Sequence, residues 1–242
     1  MMRRILVVLS CLFVAVAGLI AGSSTTGGTP AGAAPGKCAD VHVLFARGTA
    51  ETAPPLGVIG IAFGNSLEKR LPGKSVRVEA VNYAASADFS EKLKFAESFV
   101  EGMRTAQRRI KAIAAACPDT KIVLGGYSQG AALIGYTISS EFKIPAKYKQ
   151  YDRYVPAPLP AELASHIAAV VQFGTPSARF IRDAGAPPIE PQSVYRNRTV
   201  RYCIAGDTIC NGAPLGGPNG LHLLYPVNGM TDQAANFVAR HL

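Results

Sequence analysis

The chain has 242 residues, 48% of them hydrophobic and 17% charged, which is enough apolar material for the core of one domain. Its formal charge of +9 favours contact with anionic surfaces. The basic residues are spread along the chain and form no nucleic-acid-binding motif, so a nucleic-acid partner is not expected.

The first 33 residues have the order of a secretory signal peptide. Arg3 and Arg4 precede an uncharged apolar run, residues 5–20, and small residues then lead to an A-x-A cleavage site at residues 31–33. The run is shorter than the roughly 20 residues of a membrane span, although an uncleaved anchor is the alternative. We predict a cleaved signal (residues 1–33) and a secreted domain (residues 34–242) with a charge of +7, which favours association with the cell envelope.

Hydrophobic periodicity in the rest of the chain predicts strands that alternate with helices. The predicted strands cover residues 41–45, 76–81, 121–124, 168–173 and 199–204, and the predicted helices cover residues 56–71, 88–116, 131–140 and 231–241. Asp88 is predicted to cap the second helix. Residues 143–160, 176–191 and 211–226 are rich in Pro and Gly and are predicted to be irregular. This order predicts an α/β fold, with a parallel sheet covered on both faces and a site in the loops at the strand ends.

Four cysteines remain once the predicted signal, which contains Cys11, is removed. An even number in an exported protein favours disulfides, and four cysteines allow three pairings. Cys203 and Cys210 are seven positions apart and could close a small loop, which would leave Cys38 and Cys117 to close a long one. The spacings include no C-x-x-C pair, so a zinc site is disfavoured and no metal is expected.

A nucleophile is predicted at Ser128, in the pattern Gly126-x-Ser128-x-Gly130. A predicted strand ends just before this pattern and a predicted helix begins just after it, which is the strand-turn-helix setting of a nucleophile elbow. The glycines leave room for a cramped turn, and the helix N-terminus places free N–H groups beside the serine. The alternative is an ordinary Gly-rich turn.

A serine nucleophile needs a base, and four histidines are available. His42 lies in the first strand, His166 leads into a strand, and His241 adjoins the C-terminus. His222 lies in the loop between the last strand and the last helix, where the histidine of an α/β hydrolase follows its serine. We therefore predict His222 as the base.

The acid that orients the base should lie between Ser128 and His222. The candidates are Glu141, Asp152, Glu162, Asp183, Glu190 and Asp207. Asp207 is preferred because it follows the last predicted strand between two cysteines, although a simple turn aspartate is the alternative. For the oxyanion hole we predict the backbone N–H of Gln129 and a donor from Thr49, in the turn after the first strand, where turn chemistry alone is the competing interpretation.

Four motifs in this order resemble the cutinase family, and most closely the cutinase-like proteins of mycobacteria and their relatives. They are Phe45-Ala46-Arg47-Gly48-Thr49-Ala50-Glu51, Gly126-Tyr127-Ser128-Gln129-Gly130-Ala131, Gly206-Asp207-x-x-Cys210 and His222-Leu223-x-Tyr225. The resemblance spans residues 37–240. It implies a small α/β-hydrolase fold with a central, mostly parallel five-stranded sheet.

The resemblance also implies a function and its residues. These are a Ser128–Asp207–His222 triad, Thr49 and Gln129 at the oxyanion hole, and the bridges Cys38–Cys117 and Cys203–Cys210. The implied activity is hydrolysis of carboxylic esters without a cofactor. Two departures from the family pattern are the glycine-rich loop of residues 214–221 and a Pro-rich stretch, residues 184–191, that is expected to form a rim at the site.

We expect a monomer that acts on an ester or lipid substrate. Apolar residues near the predicted site, at Leu215, Leu221, Pro187, Pro188 and Ile189, suit acyl chains. Lipid esters, phospholipids, polyesters, thioesters and acetylated polysaccharides all remain open as substrates. A peptidase and a secreted surface protein without catalysis are the competing classes, and Asn197-Arg198-Thr199 fits the pattern of an N-glycosylation site.

Overall fold

A computed structural model describes residues 38–51, 55–141, 144 and 146–242. The predicted signal peptide, with Cys11 and the predicted cleavage site, lies outside these residues. The strands are β1 (Val41–Ala46), β2 (Val76–Ala80), β3 (Lys121–Tyr127), β4 (Ile167–Phe173) and β5 (Thr199–Tyr202). The helices are α1 (Gly57–Arg70), α2 (Lys92–Ala116), α3 (Gln129–Thr137), α4 (Ala178–Asp183) and α5 (Met230–Ala239).

The five strands form one sheet in the order β2-β1-β3-β4-β5, and every pairing between them is parallel. Ala46 lies beside Gly126 at the carboxyl ends of β1 and β3, and Tyr127 lies beside Phe173 at the ends of β3 and β4. The loops that follow β1, β3 and β4 therefore emerge side by side at one edge of the sheet. The predicted α/β class and five-stranded sheet are confirmed.

The central strands are buried on both faces because their alternating side chains enter two separate cores. Val41, Val43 and Phe45 of β1 join the core that α1 and α5 cover, where Phe63 and Val238 are buried. Leu44 and Ala46 point the other way, into a core with residues from α2 and α3. Consecutive apolar residues in β1 are thus explained by helices on both faces.

Two details of the helices differ from the prediction. Helix α2 begins at Lys92, and Asp88 does not cap it, because its Oδ1 accepts the backbone N–H groups of Ser90 and Glu91 in a separate turn. Helix α4 lies inside a stretch predicted to be irregular, and the hydroxyl of Ser177 caps it by accepting the N–H of Phe180.

Four 3₁₀ segments also connect the described helices and strands, two of them within stretches predicted to be irregular. The four are Ala146–Tyr154, Ala161–Ser165, Ser193–Arg198 and Gly220–Leu223. Segments this short lack the long periodic apolar stripe that identifies a helix in a sequence. The last of them is important for the site, because it includes His222.

Both disulfides implied by the family resemblance are present, Cys38–Cys117 and Cys203–Cys210. They have Cα–Cα distances of 5.6 and 5.8 Å. Across the described part of the chain, no helix has the length and apolar character of a membrane span. Within the same residues, no three His, Cys, Asp or Glu side chains are grouped so that they could hold a metal ion.

Candidate active site

Ser128 lies in a sharp turn between the end of β3 and the start of α3. Its φ is 53°, in the left-handed region that few non-glycine residues occupy. The N–H of Ser128 donates to the carbonyl of Phe173 at 2.9 Å, and its carbonyl accepts the N–H of Ala132 at 3.1 Å. The strained serine is therefore held by β4 on one side and by the first turn of α3 on the other.

Glycines on both sides of Ser128 permit this turn. A Cβ atom on Gly126 would lie 2.6 Å from the carbonyl carbon of Gly130 and 2.8 Å from the nitrogen of Ala131. A Cβ atom on Gly130 would lie 2.5 Å from the carbonyl carbon of Ala46, in the neighbouring strand. In both cases the obstacle is backbone, which cannot rotate away as a side chain can.

Gly130→Ala is accordingly expected to destabilise the protein by roughly 3 kcal/mol or more, since the methyl group would push β1 and α3 apart. The matched control is Gly217→Ala, because Gly217 is exposed and an added Cβ would have no atom within 4 Å. Thermal unfolding of the two variants checks this expectation. Equal melting temperatures would mean that the close packing at the elbow is not required.

Three polar side chains form a continuous chain of hydrogen bonds at this edge of the sheet. The Nε2 atom of His222 lies 2.9 Å from the Oγ of Ser128, and its Nδ1 lies 2.8 Å from the Oδ2 of Asp207. Asp207 is fully buried and His222 is only 3% exposed. The sequence-predicted nucleophile, base and acid are thus brought together, in the order that proton transfer requires.

Asp207 is held rigidly by the loop that the Cys203–Cys210 bridge closes. The N–H of Asp207 donates to the carbonyl of Ile204 at 2.9 Å, and its Oδ1 accepts the N–H of Ile209 at 3.0 Å. This leaves the Oδ2 atom directed toward His222. A buried carboxylate needs such partners, because desolvation without them is costly.

The other three histidines lie elsewhere. The Nε2 of His42 lies 3.0 Å from the Oε2 of Glu79, and burial lowers the pKa of His42 below the ordinary value despite that partner. His241 contacts the carbonyls of Phe237 and Asn197 near the C-terminus. His166 precedes β4, at the end of the sheet opposite Ser128. Among the described histidines, only His222 contacts Ser128.

The two residues predicted for the oxyanion hole lie in neighbouring segments. Gln129 is the first residue of α3, so its N–H has no acceptor within the helix, and its side-chain Nε2 donates to the carbonyl of Ser86 at 3.1 Å. Thr49 is half-buried in the turn that follows β1. Because β1 pairs with β3, this turn emerges beside the elbow.

Glu51, to which no role was predicted, fixes the turn that contains Thr49. Its carboxylate accepts the N–H of Gly48 at 2.6 Å and the N–H of Val58, in the first turn of α1, at 3.1 Å. Arg47 adds a second brace, since its guanidinium donates to the carbonyl of Tyr83 at 2.7 Å and also to the carbonyl of Glu51.

The cutinase family model matches residues 37–242, which is the whole region with the four motifs. The chain belongs to the cutinase family. Among its cutinase-family relatives, the probable carboxylesterase Culp7 of Mycobacterium tuberculosis is 46% identical over 169 residues, covering 70% of this chain and 86% of that protein. Phospholipase Culp4 of the same species is 39% identical, covering 88% of this chain and 84% of that protein.

Two solved structures of similar proteins have the same fold. A Trichoderma reesei cutinase in complex with a C11Y4 phosphonate inhibitor superposes with a TM-score of 0.59 at 30% identity, covering 84% of this chain and 76% of that one. The catalytic core domain of acetyl xylan esterase from T. reesei gives a TM-score of 0.66 at 24% identity, covering 85% of this chain and all of that one, and supports the fold alone. The predicted family and fold are confirmed, and with them the expected enzyme class, a cutinase-like carboxylic ester hydrolase.

Two tyrosines of this cutinase-family site had no predicted role. The hydroxyl of Tyr127 donates to the backbone carbonyl of His222 at 2.8 Å, and the hydroxyl of Tyr225 donates to the Oδ2 of Asp207 at 2.6 Å. Burial raises the pKa of both phenols, and the charge of Glu51 adds to this for Tyr127. Both therefore stay protonated donors. In the sequence, the available signals for these roles were that Tyr127 directly precedes Ser128 and that Tyr225 follows His222 by three residues.

Proposed function

We propose that this chain is a secreted serine esterase that hydrolyses carboxylic esters through an acyl-enzyme. The observation that carries the proposal is the chain of hydrogen bonds from Ser128 through His222 to Asp207, with the middle and last members buried. Two disulfides support an extracytoplasmic location, since such bonds persist in oxidising compartments.

Acylation uses each member of the triad in turn. His222 Nε2 accepts the proton of the Ser128 hydroxyl as Oγ attacks the ester carbonyl. Asp207 keeps a proton on Nδ1, so that Nε2 is free to accept, and stabilises the imidazolium that forms. We assign stabilisation of the oxyanion to the N–H of Gln129 and to Thr49. The imidazolium then gives its proton to the alkoxy oxygen, and the alcohol leaves.

Deacylation repeats these steps with water in place of the serine. His222 takes a proton from a water molecule, whose oxygen attacks the acyl carbonyl. Collapse of the second tetrahedral intermediate releases the acid, and the proton on His222 returns to the Oγ of Ser128. The two half-reactions consume one water and leave the enzyme unchanged, so the residues already described are sufficient for ester hydrolysis.

Apolar side chains on two segments beside the triad support substrates with an acyl chain. Leu223 and Leu224 directly follow His222 and are 65% and 42% exposed. Phe89 is 57% exposed and lies three residues after Ser86, whose carbonyl is bonded to the side chain of Gln129. Exposed apolar groups beside a catalytic serine favour short- to medium-chain acyl esters over acetylated polysaccharides.

The test is a series of p-nitrophenyl esters, from acetyl to palmitoyl, hydrolysed by the purified chain. We expect kcat/KM to be about tenfold higher for a four-carbon acyl group than for acetyl, because the two added methylenes contribute at most about 0.8 kcal/mol each, or about 15-fold together. Activity confined to acetyl esters would instead support a polysaccharide deacetylase.

A phospholipase is the second candidate, because a relative at 39% identity has that name. A phosphatidylcholine assay beside the ester series separates the two. Labelling by a fluorophosphonate probe is expected at Ser128 in either case. A chain that neither labels nor hydrolyses any ester would be a secreted surface protein without catalysis, and the proposal would be wrong.

A further inference from the structure

The Asp207 carboxylate has a second donor besides His222. Its Oδ2 accepts the Nδ1–H of His222 at 2.8 Å and the hydroxyl of Tyr225 at 2.6 Å, while its Oδ1 accepts the backbone N–H of Ile209. One oxygen atom of the acid is therefore shared between the base and a phenol. Such sharing affects how much negative charge the imidazole experiences.

Tyr225 is held in place for this contact. It is fully buried, its hydroxyl oxygen accepts the N–H of Ile204 at 3.2 Å, and its ring contacts those of His222 and Phe173 edge-on. Ile204 begins the loop that presents Asp207, whose own N–H donates to the Ile204 carbonyl. The hydroxyl of Tyr225 thus links the backbone N–H of Ile204 to the carboxylate of Asp207.

We propose that Tyr225 is a positioning residue that directs the Asp207 carboxylate toward His222 and weakens the negative charge that His222 experiences. The proposal rests on the triad proposed above. The phenol is suited to this role because burial, followed by its bond to Asp207, raises its pKa, so it remains a neutral donor across the working pH range. A neutral donor withdraws charge from Oδ2 without contributing a proton of its own.

Tyr225→Phe removes the hydroxyl and keeps the ring. We expect kcat to fall about tenfold with little change in KM, because the acid is less well oriented. We also expect the acid limb of the kcat/KM profile to move upward by about 0.5 pH unit, because an unshared Oδ2 favours the imidazolium more strongly. Two other ionisable groups lie near His222 and Asp207: Tyr127, and Glu51, whose charge acts on Tyr127. Both are unchanged in the variant.

The matched control is Tyr195→Phe. Tyr195 is equally buried, and among the described residues its hydroxyl has no hydrogen-bond partner. We expect this variant to keep the wild-type activity and pH profile. A role of Tyr225 in packing alone would lower the melting temperature but would leave the acid limb in place.

A second readout does not depend on turnover. The proton between His222 Nδ1 and Asp207 Oδ2 is expected to give a downfield NMR signal, which its loss in His222→Asn would assign. We expect Tyr225→Phe to move this signal further downfield, because Oδ2 then accepts from His222 without competition. An unchanged signal and acid limb, or a variant that is unfolded under assay conditions, would overturn the proposal. Failure of the wild type to hydrolyse esters would contradict only the proposed esterase activity. The role of Tyr225 would still be decided by the NMR shift, which does not require turnover.

Discussion

Replacing Ser128 with alanine is expected to lower the kcat for ester hydrolysis by roughly 10⁵- to 10⁶-fold while the fold survives. Alanine keeps the Cβ atom, so the backbone strain at a φ of 53° is the same as with serine. The change removes only the Oγ atom that contacts His222. Hydrolysis of p-nitrophenyl butyrate, with circular dichroism to monitor folding, measures both parts of the expectation.

Ser139→Ala is the control for this experiment. Ser139 is buried, whereas Ser128 is partly exposed, and Ser139 lies just after α3, where its hydroxyl donates to the carbonyl of Gly135 at 2.9 Å. Its loss is expected to change turnover less than twofold, since it contacts no member of the triad. Turnover of Ser128→Ala near that of the wild type would show that the elbow serine is not the nucleophile, even though it lies within reach of a histidine.

The site was predictable from sequence where a local pattern determines local geometry. The glycines around Ser128 indicate a turn in which a Cβ atom has no room, and the structure shows backbone at both of those positions. Asp207 was predicted from its place between Cys203 and Cys210, and the bridge does enclose a buried carboxylate. In these cases the cause of the geometry lies within a few residues.

Contacts between distant segments were not predictable in the same way. The bond from Tyr225 to Asp207 joins residues 18 positions apart, and the bond from Gln129 to Ser86 joins residues 43 positions apart. Glu51 illustrates a third case, because its carboxylate caps α1 from six residues before the helix begins. No periodicity or spacing rule identifies such partners, since they depend on how the loops meet above the sheet.

The start of α2 shows how a correct signal can be assigned to the wrong element. Asp88 is a good capping residue, and its carboxylate does accept backbone N–H groups, but it closes a turn at Ser90 and Glu91 rather than capping the helix. Helix α2 then begins four residues later than predicted, at Lys92. Aspartate side chains accept from nearby N–H groups in turns and helices alike, so sequence alone does not separate the two.

Asp207→Asn is expected to lower kcat by about 10⁴-fold with little change in structure. The carboxylate accepts from His222 Nδ1, and this bond keeps Nε2 free to take the proton of Ser128. An asparagine amide can donate to Nδ1 instead, which moves the imidazole proton to Nε2. A histidine in that tautomer presents a donor to the serine hydroxyl and cannot act as its base.

This effect is distinguishable from a general loss of charge near the site. Asp183→Asn is the matched control, since Asp183 is a partly exposed residue of α4 whose partners are Arg179 and Arg182 on the surface. We expect that variant to retain wild-type turnover, because exposed ion pairs contribute little. Fluorophosphonate labelling adds a test of mechanism: Asp207→Asn should label much more slowly than the wild type, because the probe also requires an activated serine. Labelling at the wild-type rate together with lost turnover would place the defect after acylation, and the role of Asp207 in activating Ser128 would be wrong.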